Sequence, residues 1–191
     1  MKKYQIIYAD PPWKYGFSPK AGSSIERHYT PMAIDDICSL GVKDISNDNC
    51  LLFLWVTMPL LESGLRVIKE WGFRYVTCGF VWVKNSKQFP NKERYLGIGS
   101  YTKSNAELLL IGRKGKSPIN RKCKTVGQII RTPRLRHSEK PPEVRDRIVQ
   151  LMGDLPRIEL FARQKVEGWD SIGFDIDGCD IGESLDKLVT L

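Results

Sequence analysis

Asp10-Pro11-Pro12-Trp13 is the stretch of this sequence with the most chemistry in it. It follows Tyr4-Gln5-Ile6-Ile7-Tyr8-Ala9, a short apolar run of the kind that forms a buried parallel strand. In an open α/β sheet, ligands sit outside the carboxyl end of such a strand. Two successive prolines remove two backbone donors and fix φ, so the carbonyls there point into the crevice as acceptors. An exocyclic amino group on an aromatic base needs that environment, because its lone pair is delocalised into the ring and attacks poorly. One carboxylate and one carbonyl, from Asp10 and Pro11, would draw the nitrogen toward sp³ geometry and expose the lone pair. Trp13 offers a flat wall on which the base can stack. A turn that merely ends a strand would use the same four residues, and the tetrapeptide alone does not choose.

The elements around it must hold such a site in place. Cys50 to Val56 and Ala106 to Ile111 read as two more buried parallel strands, and Tyr75 to Lys84 as a β-branched and aromatic one. Between them Leu60, Leu61, Leu65, Ile68 and Trp71 recur at helical spacing, with Gly72 placed to cap the helix. Pro141 is set as a first helical residue, Val144, Ile148, Leu151 and Met152 form an apolar stripe, and Gly153 ends it. Arg157 to Phe161 and Ser171 to Phe174 read as short strands. This alternation predicts one α/β domain over residues 1–191 with a mainly parallel sheet.

Composition narrows the class. With 191 residues, 41% hydrophobic and 27% charged, the chain can build a core, which excludes disorder and a disulfide scaffold. The longest apolar stretch, Cys50 to Val56, is far shorter than the ~20 residues that cross a bilayer. No secretory leader is legible, so a cytoplasmic location without membrane attachment is expected. Five scattered cysteines and two histidines give no metal-ligand spacing, so no metal is expected. The net charge of +8 is uneven: Lys84 to Lys140 holds fifteen Lys and Arg against Glu93, Glu107 and Glu139, which leaves the remainder acidic. Such a block suits a polyanion and equally suits a solvated surface.

The tetrapeptide has company. Tyr8 to Trp13, His28-Tyr29-Thr30-Pro31-Met32, Leu52 to Val56, Trp82-Val83-Lys84, Glu139-Lys140-Pro141, Ile158 to Arg163 and Gly168-Trp169-Asp170 occur in order over nearly the whole chain. This set resembles the MT-A-seventy family: the catalytic subunit of mRNA N6-adenosine methyltransferase and its short bacterial and phage DNA adenine methyltransferase relatives.

The resemblance implies a Rossmann-like methyltransferase fold in permuted order, the catalytic motif preceding the cofactor segment. It also implies methyl transfer from S-adenosylmethionine to the N6 amino group of adenine. Asp10, Pro11, Pro12 and Trp13 then match the catalytic motif, with Asp10 also near the cofactor's amino group. Tyr29 matches an aromatic residue that closes on the adenine. Lys140 matches a lysine that meets the carboxylate of the cofactor's methionine part, and a helix start is a fitting place for one. Glu159 is directed at the cofactor, and Arg163 at its ribose or nearby loops.

Two departures stand out. Where relatives carry Gly-Asn-Glu or Gly-Asn-Gln, this chain has Gly173-Phe174-Asp175; Phe174 can stack on adenine and Asp175 can accept from ribose hydroxyls. Only nine residues precede Asp10, so an adenine contact that longer relatives make from that side is missing or replaced. The basic block, with Arg113, Lys114, Lys116, Arg121, Lys122, Lys124, Arg131, Arg134 and Arg136, is expected to grip the backbone beside the Asp10 crevice while an adenine is flipped out or presented on a single strand. DNA is the preferred substrate and RNA the nearest variant. A catalytically silent nucleic-acid-binding subunit, favoured by Phe174, and methylation of a protein amide or cytosine are the other readings. Pairing with a like or unlike second subunit is left open.

Overall fold

The computed structural model describes residues 2–15, 31–86, 101–116, 121–133 and 139–190. The seven strands among the described residues join one sheet: β1 (Tyr4–Ala9), β2 (Ser46–Thr57), β3 (Arg74–Asn85), β4 (Ala106–Lys114), β5 (Ile129–Pro133), β6 (Arg157–Leu160) and β7 (Asp170–Ile172). Their spatial order is β5-β3-β4-β2-β1-β6-β7. The helices are α1 (Ile34–Ser39), α2 (Val42–Ile45), α3 (Leu61–Glu70), α4 (Glu143–Met152), α5 (Phe174–Asp177) and α6 (Ile181–Thr190).

The central strands are apolar on both faces because helices cover both. Leu52, Leu54 and Val56 of β2 face a core shared with Ile37 of α1, Ile45 of α2, Ile68 of α3 and Leu185 of α6. Leu51, Phe53 and Trp55 alternate to the other side, against Val144, Ile148 and Met152 of α4. Full burial of each such side chain contributes about 1.5 to 3 kcal/mol, so β2 is the stiff centre of the domain. The α3 helix ends as its sequence predicts. Gly72 takes φ of 82°, and the Phe73 N–H reaches back to the Ile68 carbonyl at 2.9 Å.

One strand departs from expectation. β4 pairs antiparallel with both β2 and β3, while every other pairing in the sheet is parallel. Six strands therefore run one way and β4 alone runs back. Its first residues lie at the carboxyl ends of β2 and β3, with Glu107 opposite Thr57 and Trp82, and its last residues lie at their amino ends. Smaller differences occur at element ends. α4 starts at Glu143, after both prolines, and β7 stops at Ile172, leaving Phe174 to open α5. Among the described residues no helix is long and apolar enough to cross a membrane.

Candidate active site

Ala9, the last residue of β1, is flanked by Leu54 of β2 and Leu160 of β6, so Asp10 emerges near the middle of the sheet. Asp10 and Pro11 line two cavities at once. A cleft of about 730 Å³ opens on one side, with Pro12, Met32, Phe161, Arg163 and Phe174 among its walls. On the other side lies a niche of about 60 Å³ bounded by Trp13, Tyr15, Trp55, Glu107 and Lys140.

The tetrapeptide is more engaged than its sequence implies. The Pro11 carbonyl accepts the Trp13 N–H at 2.9 Å, and the Pro12 carbonyl accepts the Met32 N–H at 2.8 Å. Each carbonyl has a second lone pair, so Pro11 retains one acceptor site. Trp13 is only 5% exposed, and its Nε1 donates to the Trp55 carbonyl at 3.1 Å. Its indole is thus mainly core, and the expected stacking wall reduces to the ring surface that borders the niche. Across the mouth, the Tyr15 and Thr57 hydroxyls lie 3.0 Å apart.

Lys140 departs from the expected place at the cofactor carboxylate. Its Nζ donates to Asp10 Oδ2 at 2.7 Å, lies 3.3 Å from Glu107 Oε2, and sits 5.6 Å from the centre of the Trp55 ring. It borders the niche, while Arg163 is the cation among the walls of the large cleft. Lys84 also pairs with Glu107, so charges alternate along Asp10, Lys140, Glu107 and Lys84. Burial works against charge on Lys140, but Asp10 and Glu107 outweigh it and hold the ammonium firmly protonated. Burial would likewise raise Glu107, yet Lys140 and Lys84 keep it below its ordinary range. At Asp10 burial prevails and the carboxyl is raised, with Lys140 opposing.

Glu107 was not among the residues expected at the site. Its signal was present as a lone acid heading an apolar run, Ala106-Glu107-Leu108-Leu109-Leu110-Ile111. Only the reversal of β4 brings it to the crevice.

The walls of the large cleft bend sharply. Phe161, just after β6, has φ of 59°, a conformation costly for a bulky residue, and it lines the cleft. Gly173 has φ of 152°, and a Cβ there would lie 2.8 Å from both the nitrogen and the oxygen of Ala162. These two backbones press together, with Phe174, 74% exposed, and Asp175 at the cleft. Glu159 is elsewhere. It points to the opposite face of the sheet, where Arg145 Nε and Nη2 grip its two oxygens at 2.7 Å each. It is therefore a buried structural partner of α4, and the expected orientation toward the cofactor is not observed.

The basic block divides. Arg113 and Lys114 end β4, at the pole of the sheet away from Asp10. The Lys122 N–H donates to the Leu151 carbonyl at 2.8 Å, at the end of α4 remote from Lys140. Arg121 and Lys124 flank it in the chain, so the expectation that these residues lie beside the crevice is corrected by the same strand reversal. Tyr29, Arg134 and Arg136 lie outside the described residues.

A mainly parallel sheet with one reversed strand, and a cleft at its carboxyl end bordered by an acidic motif, has the Rossmann-like arrangement of a methyltransferase fold. The MT-A70 family model matches residues 4–175, and the chain belongs to that family. The chain is 38% identical over 192 residues to the Type II methyltransferase M.MunI of a Mycoplasma species, covering 92% of this chain and 78% of that protein. It is 31% identical to the N(6)-adenosine-methyltransferase MT-A70-like of Arabidopsis thaliana, and 29% identical to the human N(6)-adenosine-methyltransferase catalytic subunit METTL3. Of those two proteins it spans only 24% and 29% of the length. Members of the family use S-adenosylmethionine to methylate the N6 amino group of adenine in nucleic acid, which makes this chain an adenine methyltransferase by class.

Proposed function

We propose that this chain methylates the N6 amino group of adenine in DNA. The observation that carries the reading is that Asp10 and Pro11 border both cavities, so the amino edge of a base presented at the niche and a donor in the cleft would meet across them. The preference for DNA is supported by the extent of the match to the Type II methyltransferase, most of whose length this chain covers.

The cleft fits the cofactor. Asp10 and Asp36 offer acceptors for its amino group, Arg163 a cation for its carboxylate, Asp175 an acceptor for its ribose, and Phe174 a face for its adenine. The close approach of Gly173 to Ala162, which a Cβ would block, shapes the wall between Phe161 and Phe174. Bound there, S-adenosylmethionine supplies an electrophilic methyl on sulfur.

The chain's own residues do the rest. Asp10 Oδ and the remaining lone pair of the Pro11 carbonyl accept from the adenine amino group and localise its lone pair on nitrogen. That lone pair would be held facing the cleft, where the cofactor's methyl would be supplied to it. The nitrogen then sheds a proton, for which the Asp10 carboxylate, made more basic by burial, is the nearest acceptor. The Lys140 ammonium now occupies a donor's place against Asp10, so the incoming base displaces it toward Glu107.

Incubation with methyl-labelled cofactor and separate single-stranded DNA, duplex DNA and RNA, read by nucleoside mass spectrometry, tests this. N6-methyladenine in DNA is the expected product, and Asp10→Ala should lower turnover at least on the order of a hundredfold without loss of folding. Label in RNA alone would move the reading to an RNA methyltransferase. No label with any substrate would favour the silent subunit, and full turnover in Asp10→Ala would remove the tetrapeptide from the chemistry.

A further inference from the structure

The reversal of β4 creates a second basic surface, far from Asp10. A groove at the amino ends of the strands is lined by Lys69, Arg74, Arg113, Lys114 and Lys116, with Gly72, Phe73 and Gly115 as its remaining walls. No acidic residue lines it; the exposed Asp48 adjoins Gly115, where a Cβ, at φ of 93°, would lie 2.2 Å from the Asp48 carbonyl oxygen. Arg113 at the groove is six residue steps along β4 from Glu107 at the crevice, roughly 20 Å at ~3.4 Å per residue.

The charges here are not arranged for stability. Arg74 and Arg113 are directly opposed across the β3–β4 ladder. Like charges in that position destabilise a sheet. Among the described residues, neither these arginines nor Lys69 nor Lys116 forms an ion pair with Asp or Glu. Lys114 is held in place, its Nζ donating to Ser46 Oγ at 2.6 Å and to the Lys43 carbonyl at 3.1 Å. Lys122 is anchored at the same end of the sheet, through its backbone to α4. An anion laid along the groove would relieve the opposed arginines.

We infer that this groove is a second nucleic-acid contact, which binds the phosphodiester backbone of duplex outside the segment held at the crevice. It rests on the reading of the protein as a nucleic-acid methyltransferase in its choice of polyanion, and in nothing else. A groove lined by guanidinium and ammonium groups, with no acid among its lining residues, suits a phosphodiester backbone, and it carries no base recognition.

The test compares wild type with the quadruple variant Lys69→Gln, Arg74→Gln, Arg113→Gln, Lys116→Gln, which leaves Lys114 and the crevice intact. Binding to a dG·dC duplex of about three helical turns, which offers no adenine to the active site, is measured by fluorescence anisotropy across a salt series. The variant should bind at least about tenfold more weakly at low salt, and its log-log slope should fall by roughly 0.9 for each phosphate that is no longer neutralised. Turnover on a short adenine-containing single strand should be unchanged.

Equal affinity and slope in the two proteins would overturn the inference while leaving the methyltransferase reading untouched. A parallel fall in turnover on the short strand would also overturn it, by merging the groove with the crevice. Weaker duplex binding by the variant, in a protein that methylates none of the substrates offered, would uphold the groove and refute the methyltransferase reading. Thermal melting of Arg74→Gln adds an independent check, because relief of the opposed pair should raise the melting temperature.

Discussion

Lys140 and Asp10, 130 residues apart in sequence, form a 2.7 Å ion pair that borders the niche, with Asp10 also facing the larger cleft. Both side chains are largely buried, at 9% and 20% exposure, so each senses the other through little solvent. Burial raises the Asp10 carboxyl and Lys140 opposes that shift. Replacement of Lys140 by Met removes the opposition, and protonation of Asp10 then extends to higher pH. Since the ionised carboxylate is the acceptor for the adenine amino group, the acid limb of the turnover profile should move upward. A pH–rate series on wild type and Lys140→Met measures it, and superimposable acid limbs would detach Lys140 from Asp10.

Glu107 carries the opposite sign. Its carboxyl is held below the ordinary range, because Lys140 and Lys84 outweigh the effect of burial. A depressed folded value means stability that is present above the ordinary carboxylate range and is lost as pH falls through the folded value. Glu107→Gln should therefore flatten the acid side of the melting-temperature curve. At neutral pH it also leaves two largely enclosed ammonium groups short of an anion, a loss on the order of 3 to 5 kcal/mol where a buried pair is broken. Melting curves over an acid series, with a urea titration at neutral pH, give both values; parallel acid limbs would refute the role of the pair.

How far the sequence foretold this site depends on which residue is considered. The apolar runs of β1, β2 and β6 and the stripe of α4 are legible because burial on both faces or on one helical face imposes composition directly. The direction of β4 is not, since a buried strand needs the same Leu and Ile whichever way it runs. From that single ambiguity followed the omission of Glu107 and the placement of Arg113, Lys114 and Lys122 on the wrong side of the molecule. α6 carried a readable signal in Ile181, Leu185 and Leu188 at helical spacing, whereas α1 and α2, of six and four residues, are too short for periodicity to show. Asp10 and Arg163, which the resemblance singles out, line the same cleft as Phe174 and Asp175, where the chain departs from its relatives. The resemblance did not foretell that Lys140 and Glu159 would be taken up by neighbouring ions.

The Arg145–Glu159 pair is a case where the sequence offered a cofactor role and the packing assigns a structural one. Burial raises Glu159, and the two hydrogen bonds from Arg145 work against that rise. Glu159→Gln breaks a buried pair and should cost about 3 to 5 kcal/mol of folding stability. Arg145→Met with Glu159→Leu removes both charges together and should recover most of it. Urea unfolding gives these values, and calorimetric titration of Glu159→Gln with S-adenosylmethionine, under conditions where the variant is folded, should show affinity near wild type. A large loss of affinity with little loss of stability would return Glu159 to the cofactor.

Gly173 and Phe174 are adjacent and should behave oppositely. A methyl group at Gly173 would lie 2.8 Å from the Ala162 backbone and 3.0 Å from the Phe161 carbonyl carbon, clashes that no rotamer relieves. Gly173→Ala must push the turn after β7 away from the turn after β6, which widens the cleft and loses the Ala162 N–H bond to the Ile172 carbonyl, 2.9 Å long. Melting temperature and cofactor affinity should fall together. Phe174 is exposed and supports no packing, so Phe174→Ala should leave stability within about 0.5 kcal/mol. If its ring stacks on the adenine of the cofactor, affinity should still drop by about 0.5 to 1.5 kcal/mol, roughly twofold to twelvefold. Thermal melting and calorimetry on the two variants separate these effects. Unaltered affinity in Phe174→Ala would mean that the aromatic ring is no substitute for the asparagine that relatives carry there, and that Asp175 holds the cofactor's ribose without it.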